Sequence, residues 1–316
     1  MSRAETPDLK ADFAACREVI RTNSRSFSAA SRLLPSDVRD AAVATYAFCR
    51  GADDDVDTAA DAADARTRHR ATRERLARLY EGAAMPTPVG RAFQWVIQRH
   101  GIPREEPEAL LDGMEQDLGE VRVADDEALL LYCYRAAGVV GRMMSRIMGR
   151  SDPAALRRAV DLGIAMQLTN VCRDVGEDAR RDRVYVPLAW LRQAGADVDE
   201  VLAARPSAAI SSVTLRVLGL ADQYYESGIG GIGLLPARCR PAILAAAYVY
   251  REIGREVARR GGDGVSGRAV VSSRRRASLL LLAVLRSWTS PRLRSGATTT
   301  HSAELHAPLR RAGLRL

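Results

Sequence analysis

The twelve residues YAFCRGADDDVD, numbered 46–57, place Asp53 and Asp57 four positions apart, with Arg50 just before them. In an α-helix, side chains four positions apart lie on the same face, one turn apart. A helix over this stretch would therefore project two carboxylates from one face.

A second stretch, QLTNVCRDVGED, begins at Gln167 and has the same arrangement, with Asp174 and Asp178 following Arg173. Gln167 and Asn170 add neutral amide groups one turn before the acidic pair. If the two helical faces turn toward each other, they make a box of carboxylates. Such a box suits several hard divalent cations, and these cations bind a diphosphate.

The spacing alone is a weak signal, because Asp57 and Asp61, and Asp178 and Asp182, share it. The surroundings distinguish the two named pairs, since both stretches are otherwise rich in residues of the buried type. Carboxylates in an apolar wall are unfavourable without a cation or a cationic partner. The preceding arginines also suit bidentate contact with phosphate.

The composition favours a helical protein. Of 316 residues 47% are hydrophobic but only 5% are aromatic, so Ala, Leu, Val and Ile must build most of the core. Abundant alanine favours helix over strand, and no stretch has convincing period-two alternation. We predict an all-α single domain over residues 8–289 and a basic, disordered tail at 290–316.

The net charge of +8 is concentrated at the end of the chain. From Arg268 onward there are ten arginines and one acidic residue, Glu304, so the rest of the chain is close to neutral. The alternative of a helical protein that binds nucleic acid would be supported by this tail alone, and we expect no nucleic-acid partner. The tail is either solvated or in contact with an anionic surface such as lipid.

Cysteine usage and apolar runs indicate a cytoplasmic protein. The five cysteines are scattered without paired spacing, which is typical of reduced thiols in the cytosol. We find no signal-peptide pattern, and apolar runs such as Leu279–Leu285 are far shorter than the ~20 residues that span a bilayer. The histidines lie far apart except His301 and His306, so we expect no histidine-based metal site.

The sequence GIGGIG, which begins at Gly228, formally matches the G-x-G-x-x-G dinucleotide motif. That motif needs a strand before it and a helix after it. A helical pattern precedes the glycines here, and Pro236 follows shortly after them. We interpret them as a glycine turn at the end of a helix.

Two other stretches have both a structural and a ligand-binding interpretation. The break NSRSFS, which begins at Asn23, contains residues that either cap a helix or hold phosphate oxygens. The small residues between Tyr132 and Gly141 allow close approach of either another helix or an apolar ligand tail. The residues alone leave both alternatives open.

An allylic diphosphate fits the predicted site chemically. Mg²⁺, or Mn²⁺ in its place, prefers carboxylate oxygens, water and substrate phosphate, and would make the diphosphate a good leaving group. The carbon skeleton left behind must tolerate positive charge, and a cavity walled by helices would shield it from water. Four tyrosines could stabilise or deprotonate such a cation: Tyr46, Tyr132, Tyr185 and Tyr250.

These stretches resemble the squalene/phytoene synthase family over residues 14–280. The second acidic stretch, together with RVYVP from Arg183, is the most specific match, and the first acidic stretch is less specific. SRSF from Ser24 and YCYRAAGVVG from Tyr132 also match. Resemblance to the bacterial phytoene synthase branch comes from SRLLP at Ser31, MQLTN at Met166 and RAVV at Arg268.

The resemblance implies an isoprenoid-synthase helical bundle around a central cavity. It also implies head-to-head condensation of two geranylgeranyl diphosphates to phytoene through prephytoene diphosphate, in carotenoid biosynthesis and without NAD(P)H. Alternatives are squalene, hydroxysqualene or diapophytoene synthesis from farnesyl diphosphate, and a non-catalytic assembly factor of the same fold. Because substrate and product are apolar, we expect a peripheral contact with the inner face of the membrane.

The resemblance also implies roles for particular residues. Asp53, Asp57, Asp174 and Asp178 would bind the metal ions and act in catalysis with Tyr46 and Arg50. The residues implied in substrate binding are Asn23, Ser24, Arg25, Ser26, Phe27, Tyr132, Gly141, Gln167, Asn170, Arg173, Tyr185, Tyr250 and Arg268.

The sequence departs from the family pattern in three places. Gly51 stands where a larger residue is usual, Asp55 replaces an apolar residue, and the stretch from Ser273 to Arg276 has no lysine. These departures concern the first diphosphate pocket and the C-terminal lid, and they leave the reaction class unchanged.

Overall fold

The computed structural model describes residues 9–296 and 298–314, and this part of the chain is mainly helical, which confirms the all-α prediction. Shorter turns complete the helical structure: 3₁₀ turns at Gln116–Leu118, Ile232–Leu234 and Ala303–His306, and a π-helical segment at Tyr134–Gly138. The α-helices are α1 (Leu9–Asn23), α2 (Arg25–Ser31), α3 (Ser36–Asp57), α4 (Ala62–Tyr80), α5 (Pro88–His100), α6 (Glu105–Glu115), α7 (Asp126–Cys133), α8 (Val139–Ile147), α9 (Pro153–Arg173), α10 (Val175–Ala179), α11 (Leu188–Gln193), α12 (Val198–Leu202), α13 (Ala208–Gly230), α14 (Arg240–Arg259), α15 (Ser273–Thr289), α16 (Pro291–Arg294) and α17 (Ala307–Arg311).

Two very short strands were not predicted. β1 (Val121–Arg122) and β2 (Arg183–Val184) pair in parallel, with Val121 opposite Arg183. Arg122 Nη1 also donates to Asp182 O at 2.7 Å. The pair ties the segment after α6 to the segment after α10, so that residues distant in sequence meet at one end of the bundle.

Local sequence sets where the helices begin. Asp125 caps α7 by accepting a hydrogen bond from Ala128 N at 2.9 Å, and Asp152 caps α9 by accepting one from Ala155 N at 3.0 Å. Such caps satisfy amides that have no partner within the helix. Pro153 lies in the first turn of α9, where its missing N–H costs little.

The central helix is α9, which is buried along most of its length and packs against α8, α13 and α14. A Cβ on Gly141 of α8 would lie 2.2 Å from Ala159 O, and one on Gly163 would lie 2.4 Å from Ala137 O. Neither position leaves room for a side chain. Helix contact, one of the two alternatives for the stretch Tyr132–Gly141, is therefore confirmed.

The glycines at 228–233 also serve close packing. α13 runs through Gly230, so a helix and not a strand precedes the end of the motif. A Cβ on Gly228 would lie 2.8 Å from Leu162 Cβ, and one on Gly231 would lie 2.4 Å from Arg158 Cβ. The helix ends here as predicted, but these contacts, not a left-handed backbone turn, explain both glycines.

The prediction of a disordered tail is wrong for the described residues beyond 289. Leu309 and His306 are fully buried, and Tyr224 Oη donates to Leu305 O at 2.5 Å. Arg311 Nε donates to Glu127 Oε2 at 3.0 Å. The arginine content suggested a solvated segment, but burial of a few apolar and polar side chains against the domain orders it.

α15 is amphipathic and covers α14. Leu279 and Ala283 are buried, whereas Leu281, Leu285 and Trp288 are exposed. In residues 9–296 and 298–314, no helix combines the length and the apolar character that crossing a bilayer requires.

Candidate active site

A central cavity of about 420 Å³ lies between α3, α8, α9, α13 and α14. Most of its wall is apolar, with Leu110, Met114, Val140 and Leu162 among the lining residues. Most of its charged and amide side chains lie near the acidic motifs: Arg50, Asp53, Asp117, Gln167 and Asn170. The exception is Arg158, which comes from the first turns of α9. This arrangement suits a ligand with an apolar chain and a polar head.

The first acidic motif forms the last turns of α3. Arg50 Nη1 donates to Asp53 Oδ2 at 2.9 Å, and Arg50 also pairs with Asp54. Burial, and then the charge of Asp57, raises the pKa of Asp53 to about 6. Asp53 therefore lies where a negative charge is costly unless a cation accompanies it.

Asp57 faces two arginines that follow the second acidic motif. Its carboxylate accepts hydrogen bonds from Arg181 Nη1 at 2.7 Å and Arg183 Nη1 at 2.8 Å. Burial alone would raise the pKa of Asp57, but the hydrogen bonds and charges of Arg183 and Arg181 lower it. Arg183 Nη2 also donates to Asp117 O at 3.1 Å. Arg183 thus joins the first motif to the loop after α6.

The spacing of the second motif predicted one uninterrupted helix, but the structure has a break within the motif. α9 ends at Arg173, Asp174 lies at the junction, and α10 begins at Val175. Asp178 N still donates to Asp174 O at 2.8 Å, so the two aspartates remain about one turn apart. The break leaves room for a second group of contacts at Asp174.

Asp174 lies between two arginines. It accepts hydrogen bonds from Arg173 Nε at 2.8 Å and from Arg268 Nε at 2.8 Å. Burial opposes ionisation, but these hydrogen bonds prevail and lower the pKa of Asp174. Arg268 itself is half-exposed and also pairs with Glu177 at 3.2 Å.

Asp178 is the carboxyl with the most strongly raised pKa in this cluster, at about 8. Burial is the main cause, followed by the charge of Asp174, while Arg183 acts in the opposite direction. The positive charge of Arg183 also acts to lower the pKa of Asp53 and of Asp57. The structure therefore brings the two acidic motifs together around one arginine.

Asp117 lines the cavity next to this cluster, and sequence reasoning missed it. It accepts hydrogen bonds from Tyr185 Oη at 2.5 Å and Tyr132 Oη at 3.3 Å. The two tyrosine rings stack with centroids 4.5 Å apart. Burial raises the pKa of Asp117 to about 6. No spacing in the sequence marks Asp117, because its partners come from α7 and from the residue after β2.

Three aromatic residues predicted for the site pack together on the other side of the cavity. The ring of Phe27 lies 5.9 Å from that of Tyr46 and 5.0 Å from that of Tyr250, measured between centroids. Burial raises the pKa of Tyr250 to about 12, so its phenol is neutral at physiological pH. Together the three rings form an aromatic wall next to Arg50.

Gln167 and Asn170 line the cavity one turn before Asp174. Asn170 Nδ2 donates to Gln167 Oε1 at 3.1 Å. Asn170 Oδ1 is buried and, within the described residues, has no hydrogen-bond partner. A buried acceptor without a partner points to a ligand that supplies one.

The break after α1 forms a helix cap. Ser24 Oγ accepts a hydrogen bond from Phe27 N at 3.2 Å, which caps α2. Asn23 is exposed, and its amide donates to Val19 O at 2.9 Å, so the structure does not place it in the cavity. Ser26 is half-buried, and the side chain of Arg25 lies outside the described part of the structure.

The remaining positions singled out by sequence have different surroundings. Gly141 lines the cavity as well as touching α9. Asp55 points away from the cavity and accepts hydrogen bonds from Thr72 Oγ1 at 2.6 Å and Arg75 Nη2 at 2.7 Å. Gly51 is exposed, and a Cβ there would meet nothing within 4 Å. Asp55 therefore contacts α4 and Gly51 faces solvent, so neither departure in the first motif lines the cavity.

Comparison with known proteins gives consistent matches. The squalene/phytoene synthase family model matches residues 20–276. A phytoene synthase of Cereibacter sphaeroides is 45% identical, with 93% of this chain and 84% of the relative covered. A 15-cis-phytoene synthase of a Paracoccus species is 39% identical, with 83% of this chain and 88% of the relative covered.

Solved structures agree with the helical bundle. A dehydrosqualene synthase in complex with a ligand superposes with a TM-score of 0.80 at 30% identity, covering 89% of this chain and 99% of that one. A squalene synthase from Alicyclobacillus acidocaldarius superposes with a TM-score of 0.74, also at 30% identity, covering 81% of this chain and 97% of the other.

Proposed function

The chain belongs to the squalene/phytoene synthase family, and from this premise we propose that it condenses two geranylgeranyl diphosphates head to head into phytoene, as a prenyltransferase of carotenoid biosynthesis. Its phytoene synthase relatives match over most of its length. The observation that supports this most directly is one mostly apolar cavity whose lining includes Asp53 of the first acidic motif and Gln167 and Asn170 of the second. A prenyl chain fits the apolar part, and its diphosphate fits the charged end.

The charged end suits Mg²⁺, or Mn²⁺ in its place. Four aspartates offer hard oxygen ligands: Asp53, Asp57, Asp174 and Asp178. The raised pKa values of Asp53 and Asp178 reflect a surplus of buried carboxylates, which divalent cations would relieve. Asn170 Oδ1 is a further oxygen without a partner within the described residues. When bound there, Mg²⁺ would neutralise the diphosphate and make it a better leaving group.

The arginines would hold the diphosphate oxygens. Arg50, Arg173 and Arg183 each pair with an aspartate of the cluster. Guanidinium groups suit bidentate contact with phosphate as well as with carboxylate. Once the carboxylates have other partners, the same arginines are free to orient a diphosphate with its prenyl chain directed into the cavity.

The rest of the cavity would protect a carbocation. Its mostly apolar wall would limit the approach of water, which would otherwise capture the cation. Tyr46 and Tyr250 present aromatic rings, which attract positive charge. Asp117 would fix the stacked rings of Tyr132 and Tyr185 by its two hydrogen bonds. These residues act by position and electrostatics.

The direct test is incubation of purified protein and Mg²⁺ with geranylgeranyl diphosphate, followed by extraction and identification of hydrocarbons. We expect phytoene, a C40 product, and at most a low rate with farnesyl diphosphate in parallel reactions. A C30 product formed preferentially from farnesyl diphosphate would contradict the substrate assignment. No hydrocarbon from either substrate would favour the non-catalytic alternative, although all four aspartates are present.

We also propose that the protein contacts the cytoplasmic face of a membrane through α15. Leu281, Leu285 and Trp288 are exposed on this helix, and the sequence RRR at 274–276 lies in its first turn. Exposed apolar side chains beside arginines match an anionic lipid surface. Such a contact would bring the cavity close to the bilayer, into which an apolar product partitions.

A further inference from the structure

Arg158 lies at the end of the cavity opposite the aspartates. It comes from α9, twelve positions before Asn170, so the two residues are about 18 Å apart along the helix axis. Arg158 lines the cavity and is only 6% exposed. Its aliphatic stem lies on Gly231, where a Cβ would be 2.4 Å from Arg158 Cγ. A charged side chain therefore closes an otherwise apolar space.

The guanidinium of Arg158 is held by α13 and by the end of the chain. Nη1 donates to Ser227 O at 2.9 Å and to Ser227 Oγ at 2.8 Å. Nη2 donates to Thr299 O, and it lies 3.3 Å from Thr299 Oγ1. Thr299 belongs to residues 298–314, which we name the C-terminal clasp.

Asp161, one turn after Arg158, holds the clasp in place. Its buried carboxylate accepts a hydrogen bond from Ser227 Oγ at 2.5 Å. It also lies 3.0 Å from His301 Nε2 and 2.6 Å from His306 Nε2. Ser227 thus links the two residues of α9, and the histidines link them to the clasp.

Both carboxylate oxygens of Asp161 have partners within the protein, whereas His306 Nδ1 is buried and, among the described residues, has no hydrogen-bond partner. Asp161, His301 and His306 have the residue types of a transition-metal site, and their ligand atoms lie within 4.8 Å of one another. However, Ser227 and both histidines already provide hydrogen-bond partners for the carboxylate. Arg158 is close enough to interact with the charge of Asp161, and its positive charge disfavours a second cation nearby.

We propose that Arg158, positioned by the C-terminal clasp, forms the floor of the cavity and sets the greatest prenyl chain length that the enzyme accepts. This inference rests on the proposed function. A longer chain would have to displace a buried guanidinium and leave its acceptors on Ser227 and Thr299 without partners. Unpaired buried polar groups are costly, so the floor rejects extra carbon atoms more firmly than an apolar wall would.

The test compares C20 and C25 allylic diphosphates, geranylgeranyl and geranylfarnesyl diphosphate, as substrates of the full-length enzyme. We expect Arg158→Ala to raise the C25-to-C20 ratio of kcat/KM roughly tenfold or more, because pocket discrimination of even one methylene reaches about this size. Arg158→Lys retains the stem and one donor, so it should restore most of the wild-type ratio. Arg157→Ala is the matched control, since Arg157 neighbours Arg158 but does not line the cavity.

His306→Gln tests the positioning role of the clasp and serves if Arg158→Ala does not fold. It should shift the same ratio in the same direction, while the KM for geranylgeranyl diphosphate stays near the wild-type value. An unchanged ratio in a folded Arg158→Ala or His306→Gln variant would overturn the proposal. Failure of the proposed function is distinguishable, because the wild-type enzyme would then make no phytoene from geranylgeranyl diphosphate.

Discussion

Asp53 and Asp55 lie two positions apart in α3 and have different surroundings. Asp53 lines the cavity and pairs with Arg50, whereas Asp55 binds Thr72 and Arg75 on the outer side. The difference follows from helical geometry, since residues two apart point to different faces. The two positions therefore offer a matched pair for separating the effect of a lost carboxylate from its location.

We expect Asp53→Asn and Asp174→Asn each to reduce turnover at least about a hundredfold, because each removes a charge from the proposed site of the metal ions and the diphosphate. Asp55→Asn should change turnover by no more than about twofold. Steady-state rates with geranylgeranyl diphosphate and Mg²⁺ measure this, and circular dichroism verifies folding. Wild-type turnover in both the Asp53→Asn and the Asp174→Asn variant would refute the assigned roles.

The site residues that could be predicted from the sequence are those whose partners lie within the same short stretch of the chain. Asp53 and Asp57, or Asp174 and Asp178, are recognisable because both members of each pair lie in one short stretch. Asp117 has no such signal, since its partners come from α7 and from the residue after β2. Its position depends on the pairing of β1 with β2. Strands of only two residues have no recognisable sequence pattern, so this pairing cannot be predicted from the sequence.

Most helices could be predicted from hydrophobic periodicity and capping residues. The prediction differs from the structure where contacts between residues distant in sequence determine the local conformation. The interruption at Asp174 coincides with its contacts to Arg173 and Arg268, the latter from a distant loop. The order of the C-terminal clasp depends on Asp161, which is 140 residues before His301. The local sequence around Asp174 does not indicate Arg268 as its partner, and the local sequence around His301 does not indicate Asp161.

α15 provides a prediction for the proposed membrane contact. Leu285 and Trp288 are 51% and 73% exposed. Replacing both by Glu should lower binding to anionic phospholipid vesicles at least about tenfold, since it removes apolar area and adds repulsive charge. Flotation at low and high salt measures the bound fraction. The control is Leu215→Glu on α13, where Leu215 is 41% exposed.

Two outcomes of the flotation assay would count against this role of α15. One is a bound fraction that the α15 substitutions leave unchanged while the control lowers it. The other is wild-type protein that stays unbound at low salt, where attraction between arginines and anionic lipid is strongest.

Across the molecule, buried charged residues form two separate groups, one near each end of α9. Near its C-terminal end Asp174 pairs with Arg173, and Asp57 of α3 pairs with Arg183. The N-terminal half holds Arg158 and Asp161, whose partners come from the protein itself. In the proposed function, a diphosphate and its cations would replace the partners of the first group and leave those of the second group unchanged.

The aspartate end should make the stability of the metal-free protein depend on pH. The pKa values of Asp53 and Asp178 are raised to about 6 and about 8 in the folded state, from 3.8. Between pH 4 and 8 the folded state thus holds protons that the unfolded state has released. The free energy of unfolding should therefore fall as pH rises through this range.

We expect Mg²⁺ to offset this loss, and to raise the melting temperature more at pH 8 than at pH 6, because it competes with protons for the same carboxylates. Thermal unfolding with EDTA or with Mg²⁺ at both pH values measures the effect. Asp178→Asn should flatten the pH dependence without metal and weaken the response to Mg²⁺, whereas Asp55→Asn should alter neither. A Mg²⁺ response that is equal at both pH values would show that these carboxylates do not bind the ion.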